Sequence, residues 1–129
     1  MIRKAGNRNR NKKQRAAWRG QVAERIAEFW LRLKGYRILG RNLRTPVGEI
    51  DLLARSGDTL VVCEVKHRPT LEQAMRAITP RQQQRLARAA SYILARPNRG
   101  IADISGVRFD LIAIVNGRLP KHIRDAWRS

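Results

Sequence analysis

The sequence comprises 129 residues, a length that fits one domain with at most a short tail. Its 28 Lys and Arg residues outnumber 10 Asp and Glu residues, and the resulting formal net charge of +18 predicts a polyanionic partner. The single cysteine, Cys63, excludes an intrachain disulfide, and no apolar run has the length of a signal peptide or a membrane span. We therefore expect a soluble cytoplasmic protein rather than a secreted or membrane protein.

The amino end is a basic arm, residues 1–17, with almost no apolar content. This composition predicts disorder when the arm is unbound. Such an arm, which includes Lys12 and Lys13, can bind phosphates without sequence preference; the alternative is a solvated tail that aids solubility. We place the folded domain at residues 18–129.

A helix is predicted from Trp18 to Lys34, because apolar residues there follow helical spacing and Gly35 is a natural stop. Glu24 lies about 200° round the helical wheel from Val22, which predicts a surface position opposite the core stripe. The stripe expected to face the core comprises Val22, Ile26, Phe29, Trp30 and Leu33.

A first strand, Tyr36–Asn42, leads into two further strands around one turn, and this pair carries four charges. Thr59–Lys66 is β-branched and apolar on both faces, too apolar for an edge strand. Period-two alternation nevertheless places Glu64 and Lys66 on the same face as Leu60 and Val62. Charges therefore interrupt a face that is expected to be apolar.

The register of this pair follows from parity. If the loop has two or four residues, opposed positions sum to 115, so that Asp51 faces Glu64 and Glu49 faces Lys66. Directly opposed like charges destabilise a sheet, and Mg²⁺, which is often held by only one or two carboxylates, would relieve the repulsion. The alternatives are solvent-face charges on an exposed hairpin, and a three-residue loop that turns one partner to the other face.

Two helices follow this strand pair. Thr70 caps a short helix that extends to Ile78, and Thr79 caps a longer one that runs to about Ala95. The longer helix begins with a basic, polar face formed by Arg81, Gln83, Arg85 and Arg88.

The chain then ends in a hairpin. Val107–Val115 is predicted as an interior strand, and Asn116-Gly117 as a type I′ turn that returns Leu119–Arg124 as an edge strand. Asp110 is expected to pair with an arginine outside any active site, His122 to be structural or exposed, and Trp127 to pack the carboxyl end onto the sheet. The element order favours an α/β sandwich around a mixed sheet.

Several of these segments together resemble a known family. Gly48-Glu49-Ile50-Asp51-Leu52 followed by Glu64-Val65-Lys66 is similar to the YraN-like family of small uncharacterised bacterial proteins, whose pattern falls within the PD-(D/E)xK nuclease superfamily. The similarity covers most of residues 20–127, including Gly35-Tyr36-Arg37-Ile38-Leu39, Arg41-Asn42 and Arg108-Phe109-Asp110. The resemblance implies a restriction endonuclease-like mixed sheet flanked by helices.

The resemblance also implies a metal-dependent nuclease. Asp51 and Glu64, with the Val65 carbonyl, would bind Mg²⁺ or Mn²⁺, Lys66 would orient or help activate the attacking water, and Glu49 would assist by holding Lys66. Glu24 is added through the resemblance alone, because Gly20-Gln-Val-Ala-Glu24 is similar to the family's Gly-x-x-Gly-Glu segment, with Ala23 replacing the second glycine. Candidate contacts to nucleic acid are Arg68, Arg81, Gln83 and Arg85, although a solvated helix face is an equal alternative for the residues of the long helix.

Two functions remain open from the sequence. The first is a nuclease, and a resemblance to archaeal-type Holliday-junction resolvases implies branched DNA as substrate and a homodimer. The second is a non-catalytic nucleic-acid-binding protein that retains a nuclease-like fold. Nucleotide hydrolysis, acyl transfer and structural zinc lack support, because no glycine-rich phosphate loop, Ser-His-Asp set or Cys/His cluster is present.

Overall fold

A computed structural model describes residues 20–96 and 100–128, and it shows a five-stranded mixed sheet flanked by helices, as the sequence predicts. The basic arm, with Lys12 and Lys13, lies outside the described residues. Residues 20–33 form helix α1. The remaining elements, in chain order, are β1 (Arg37–Thr45), β2 (Gly48–Ser56), β3 (Thr59–His67), α2 (Leu71–Arg76), α3 (Pro80–Leu94), β4 (Gly106–Ile114) and β5 (Lys121–Trp127).

The sheet has the order β1-β2-β3-β4-β5, and every neighbouring pair is antiparallel except β3 and β4. The parallel pair needs a long crossover, which α2 and α3 supply. Strands β2 and β3 meet at the two-residue turn Gly57-Asp58, and their partners run from Ser56 opposite Thr59 to Leu52 opposite Cys63. The register predicted by parity is therefore confirmed over this part of the pair.

Each face of the sheet has its own apolar core. One core lies under α3 and includes Leu86, Ala89 and Ala90 of that helix. The other lies under α1 and also encloses Cys63, a fully buried free thiol whose pKa is raised by burial. Strand β3 contributes to both cores, which explains why its sequence is apolar on both faces.

The predicted core stripe of α1 is wrong. The residues that α1 buries are Ala23, Ala27 and Leu31, whereas Phe29 and Leu33 are 64% and 65% exposed. Because small alanines let the helix backbone approach the sheet closely, the buried face is not the face with the largest apolar residues. Glu24 lies about 60° from Ala27 on the helical wheel, so it borders the buried face instead of opposing it.

This correction predicts opposite outcomes for two substitutions in α1. Leu31→Ala is expected to lower the free energy of unfolding by ~2–5 kcal/mol, because it leaves a cavity under the helix. Phe29→Ala is expected to change it by about 0.5 kcal/mol or less, because most of that side chain already contacts solvent. Urea unfolding of both variants measures the two changes. Equal losses in the free energy of unfolding would mean that Phe29 is packed in the core as the sequence predicted.

The helix caps are confirmed, but the last turn differs from the prediction. The hydroxyls of Thr70 and Thr79 accept hydrogen bonds from the backbone N–H groups of Gln73 and Gln82, each at 3.2 Å. A type I′ turn requires a positive φ at both central residues. Gly117 has a φ of 75°, but Asn116 does not have a positive φ. A longer loop therefore precedes β5, which starts at Lys121.

Asp110 is fully buried in β4 and pairs with an arginine, as predicted. Its carboxylate accepts two hydrogen bonds from Arg108, at 2.8 Å each, one from His122 Nε2 at 2.7 Å and one from the Asp125 N–H at 3.0 Å. Burial raises the pKa of Asp110, but these hydrogen bonds outweigh burial and lower the pKa to about 2. The His122 side chain is fully buried in this network, so its role here is structural.

The carboxyl end packs onto the sheet as predicted, because the Trp127 ring stacks on Phe109 with 5.7 Å between the ring centroids. None of the helices in the described part of the chain is both long and apolar enough to cross a membrane.

Candidate active site

A cleft of about 440 Å³ opens where β2 and β3 separate. Their backbone pairing stops at Leu52 and Cys63, and beyond that point Asp51 Oδ2 accepts a hydrogen bond from the Val65 N–H at 3.0 Å. A side chain thus replaces the backbone ladder. The cleft is lined by Gly20, Ala23 and Glu24 of α1 and by Asp51, Glu64, Val65, Lys66, His67 and Arg68.

Glu64 is the most deeply buried charged group of the cleft, with 5% of the residue exposed. Its Oε1 forms an ion pair with Lys66 Nζ at 3.2 Å and accepts a hydrogen bond from Gln82 Nε2 at 2.7 Å. Lys66 is itself largely buried, with 15% of its side chain exposed. Gln82 belongs to the first turn of α3, so both flanking helices reach the same site.

Asp51, which is half-buried, and Glu64, which is buried, form a carboxyl pair. Burial raises the pKa of Glu64, and the neighbouring Asp51 raises it further against the opposing effect of Lys66. Burial also raises the pKa of Asp51, although the Val65 N–H, a hydrogen bond from Glu64 and the charge of Lys66 counteract it. A second positive charge beside the pair would favour the ionised forms of both groups.

Glu24 lies in this cleft, and the predicted surface position opposite the core stripe is therefore wrong. Burial raises the pKa of Glu24, a hydrogen bond from Asn42 lowers it, and the charges of Asp51 and Glu49 raise it. Asn42 adopts a φ of 50° within β1, a left-handed conformation that asparagine tolerates better than most residues. The resemblance thus located a residue that helical periodicity misplaced; the catalytic role of Glu24 stays a prediction.

Other predicted site residues lie outside the lining of the cleft. Glu49 is exposed, and none of Arg81, Gln83 and Arg85 lines the cleft. Arg85 instead packs its backbone against Gly48, where an added Cβ would lie 3.1 Å from the Arg85 carbonyl oxygen. Their roles stay predictions that this geometry does not test.

Gln82 is the site residue that the sequence interpretation missed. It precedes Leu86 by four residues and so lies on the buried face of α3 with Leu86, Ala89 and Ala90. A polar side chain on an apolar helix stripe was the available signal. The predicted contact, Gln83, is its immediate neighbour.

The metal donors in the cleft are few. Within residues 20–96 and 100–128, no three His, Cys, Asp or Glu side chains are grouped closely enough to hold a metal ion. The carboxylates that line the cleft are Glu24, Asp51 and Glu64, of which Asp51 and Glu64 influence each other's pKa.

Comparison with known proteins places the chain among close relatives. It is 50% identical to a UPF0102 protein of Paramagnetospirillum magneticum over 119 residues, which cover 89% of this chain and 91% of that relative. It is 54% identical to a UPF0102 protein of Caulobacter vibrioides over 108 residues, which cover 84% and 85% of the two chains. A relative in Chelativorans is 44% identical over 124 residues, covering 96% and 98%.

The profile of one family matches residues 23–114, a segment that contains Asp51, Glu64, Lys66 and Gln82. The chain therefore belongs to UPF0102, described as an uncharacterised protein family, which confirms the YraN-like resemblance at the level of the family.

Proposed function

We propose that this protein is a metal-dependent nuclease that hydrolyses phosphodiester bonds of nucleic acid. The observation that carries the proposal is the Asp51–Glu64 pair beside Lys66, in a cleft of a protein whose net charge is +18. The resemblance to the PD-(D/E)xK superfamily supports the same chemistry, because it assigns these three residues to its active site.

The residues of the cleft fit Mg²⁺ or Mn²⁺. Two carboxyl groups with raised pKa values repel each other when ionised, and a divalent cation between them would remove that repulsion. Asp51 and Glu64, with the Val65 carbonyl, would hold the ion, which supplies stabilisation of charge on the phosphate and a more acidic bound water. Two carboxylates are sufficient for Mg²⁺, which keeps several of its waters.

The chain's own side chains would position the reacting groups. Lys66 Nζ, held by Glu64 Oε1 at 3.2 Å, would orient the attacking water, and Arg68 at the edge of the cleft would bind a phosphate oxygen. Gln82 fixes the Glu64 carboxylate through its 2.7 Å hydrogen bond. Because Oε1 already contacts both Lys66 and Gln82, the other carboxylate oxygen would be left to face the cation.

The competing function is nucleic-acid binding without catalysis. It is favoured by the internal pairing of the cleft, since Glu64 forms an ion pair with Lys66 and a hydrogen bond with Gln82 without any added group. In this reading the basic surface binds the polyanion, and the cleft only stabilises the fold.

Incubation of the full chain with labelled nucleic acids separates the two functions. The panel comprises single-stranded, duplex and branched DNA together with RNA, each with Mg²⁺, Mn²⁺ or EDTA. We expect products that appear with Mg²⁺ or Mn²⁺ and disappear with EDTA. Binding without metal-dependent cleavage on every substrate would favour the non-catalytic binder.

Neighbouring glutamines provide a matched test of the role of Gln82. Gln82→Met removes the donor to Glu64 but keeps a side chain of similar length, so we expect cleavage to fall by about tenfold or more and the apparent affinity for Mn²⁺ to weaken. Gln84→Met, at an exposed position on the same turn, is expected to change both by less than about twofold. Calorimetry with Mn²⁺ and cleavage rates provide the measurements, and equal effects of the two substitutions would contradict the positioning role.

A further inference from the structure

A second groove, of about 330 Å³, lies beside the cleft. The chain leaves the cleft at Arg68 and enters the lining of this groove at the next residue, Pro69. The opposite wall is the loop between β4 and β5. The groove is lined by Pro69, Thr70, Leu71, Val115, Arg118, Leu119 and Lys121.

The groove carries positive charge that the described residues do not neutralise. Arg118 and Lys121 are both exposed, and neither takes part in any ion pair within the part of the chain that the structure describes. The lining contains no acidic side chain. An external anion is therefore the natural counter-charge for this pair.

The loop that carries Arg118 is fixed to the end of β3. His67 Nε2 and Asn116 Oδ1 are 2.7 Å apart, and the Arg68 N–H donates to the Ile114 carbonyl at 3.2 Å. The cleft and the groove thus share one wall, formed by the end of β3 and the start of the loop between β4 and β5. The two hydrogen bonds fix the position of the groove relative to the cleft.

Sheet geometry gives the separation of the two sites. Lys66 pairs with Ala113 of β4, and Ala113 pairs with Lys121 of β5, so the two lysines lie on one rung two strands apart. Neighbouring strands are about 4.8 Å apart, which places the two lysine backbones about 10 Å from each other. The rise along the axis of a duplex is about 3.4 Å per nucleotide, and successive phosphates of one strand lie farther apart than this because they wind around the axis, so the distance is spanned by fewer than about three nucleotides.

We propose that this groove binds backbone phosphates of the nucleic-acid strand, fewer than about three nucleotides from the phosphate held at the cleft. The inference rests on the proposed nucleic-acid substrate and extends it, because it assigns a direction to the bound strand: out of the cleft, across residues 67–69 and towards β5. Continuity with the cleft and the two unpaired cations favour a polynucleotide over an isolated anion. Contacts to phosphates predict no base preference in this groove.

The test compares two double variants of the full chain that each remove two positive charges. Arg118→Ala/Lys121→Ala alters the groove, whereas Arg37→Ala/Arg88→Ala alters exposed arginines on β1 and α3 that line neither groove. Fluorescein-labelled 20-nucleotide single-stranded and duplex DNA are titrated with each protein by anisotropy, in EDTA and over a range of NaCl concentrations. Circular dichroism confirms that both variants are folded.

We expect the groove variant to bind about tenfold more weakly, and its slope of log affinity against log salt to fall by between one and two. The control variant is expected to keep the slope of the unaltered protein within about 0.5. If the unaltered protein binds DNA and the two variants lose affinity equally, the groove assignment is overturned while the proposed function stands. If the unaltered protein binds neither probe, the groove assignment is overturned, and the proposed function is decided separately by the cleavage panel with branched DNA and RNA. If the groove effect is seen but no substrate is cleaved, the groove stands and the nuclease does not.

Discussion

Replacement of Asp51 by Asn is expected to lower metal-dependent cleavage by on the order of 10³-fold. The amide keeps the shape of the carboxylate, and its oxygen can still accept the hydrogen bond from the Val65 N–H. What it removes is the negative charge that, with Glu64, would attract a divalent cation. The expected fall in cleavage is therefore caused by the missing negative charge and not by a change in local structure.

Thermal unfolding separates that loss from a general defect. In EDTA, Asp51→Asn is expected to be at least as stable as the unaltered protein, because it removes one member of a mutually repelling pair. Added Mn²⁺ should stabilise the unaltered protein by about 2.7 kcal/mol at a hundred times its dissociation constant, and should leave Asp51→Asn unchanged. Asp103→Asn makes the same chemical change at an exposed loop residue and serves as the control. Retention of full cleavage by Asp51→Asn would remove Asp51 from the mechanism.

The part of the site that could be predicted from sequence is the part governed by local periodicity. Alternation in β2 and β3, with a two-residue turn at Gly57-Asp58, sets the register through Leu52 and Cys63, and this register brings Asp51 beside Glu64. Side chains alternate between the two faces of a strand, so the length of the turn fixes which residue of β3 lies opposite each residue of β2. This register does not depend on how the helices pack against the sheet.

The contributions of the helices could not be obtained in this way, because a helix offers several faces and packing selects among them. Large apolar residues in α1 favoured the face of Phe29 and Leu33, but the sheet accepts the face of Ala23 and Ala27, and Glu24 moves into the cleft with it. Gln82 was missed for a related reason. The candidate contacts in α3 were chosen among the basic, polar residues of the helix, and Gln82 lies on its apolar side. The buried side of α3 is the one that faces Glu64.

The charge network around Asp110 predicts the largest effect on stability. Asp110→Asn is expected to lower the free energy of unfolding by ~3–5 kcal/mol at pH 7, because four hydrogen-bond donors converge on this carboxylate and an amide offers one acceptor oxygen. Arg108 and His122 would then face an uncharged group with donors of its own. Asp125→Asn is the matched control. Among the described residues the Asp125 side chain accepts hydrogen bonds from Arg128 at the surface, while its backbone N–H donates to Asp110.

The acid dependence of stability identifies this carboxylate directly. Because the pKa of Asp110 is lowered from 3.8 to about 2 in the folded protein, its ionisation contributes stability that is complete above about pH 4 and is lost as the pH falls towards 2. The contribution is about 2 kcal/mol, and about half of it is lost by pH 3. Urea unfolding between pH 7 and pH 3 should therefore show the stability gap between the unaltered protein and Asp110→Asn narrowing by about 1 kcal/mol, while the gap to Asp125→Asn stays constant. A gap that does not change with pH would mean that Asp110 stabilises the fold by shape and hydrogen bonding alone. A narrowing gap would show that the charge of Asp110 holds β4 and β5 together.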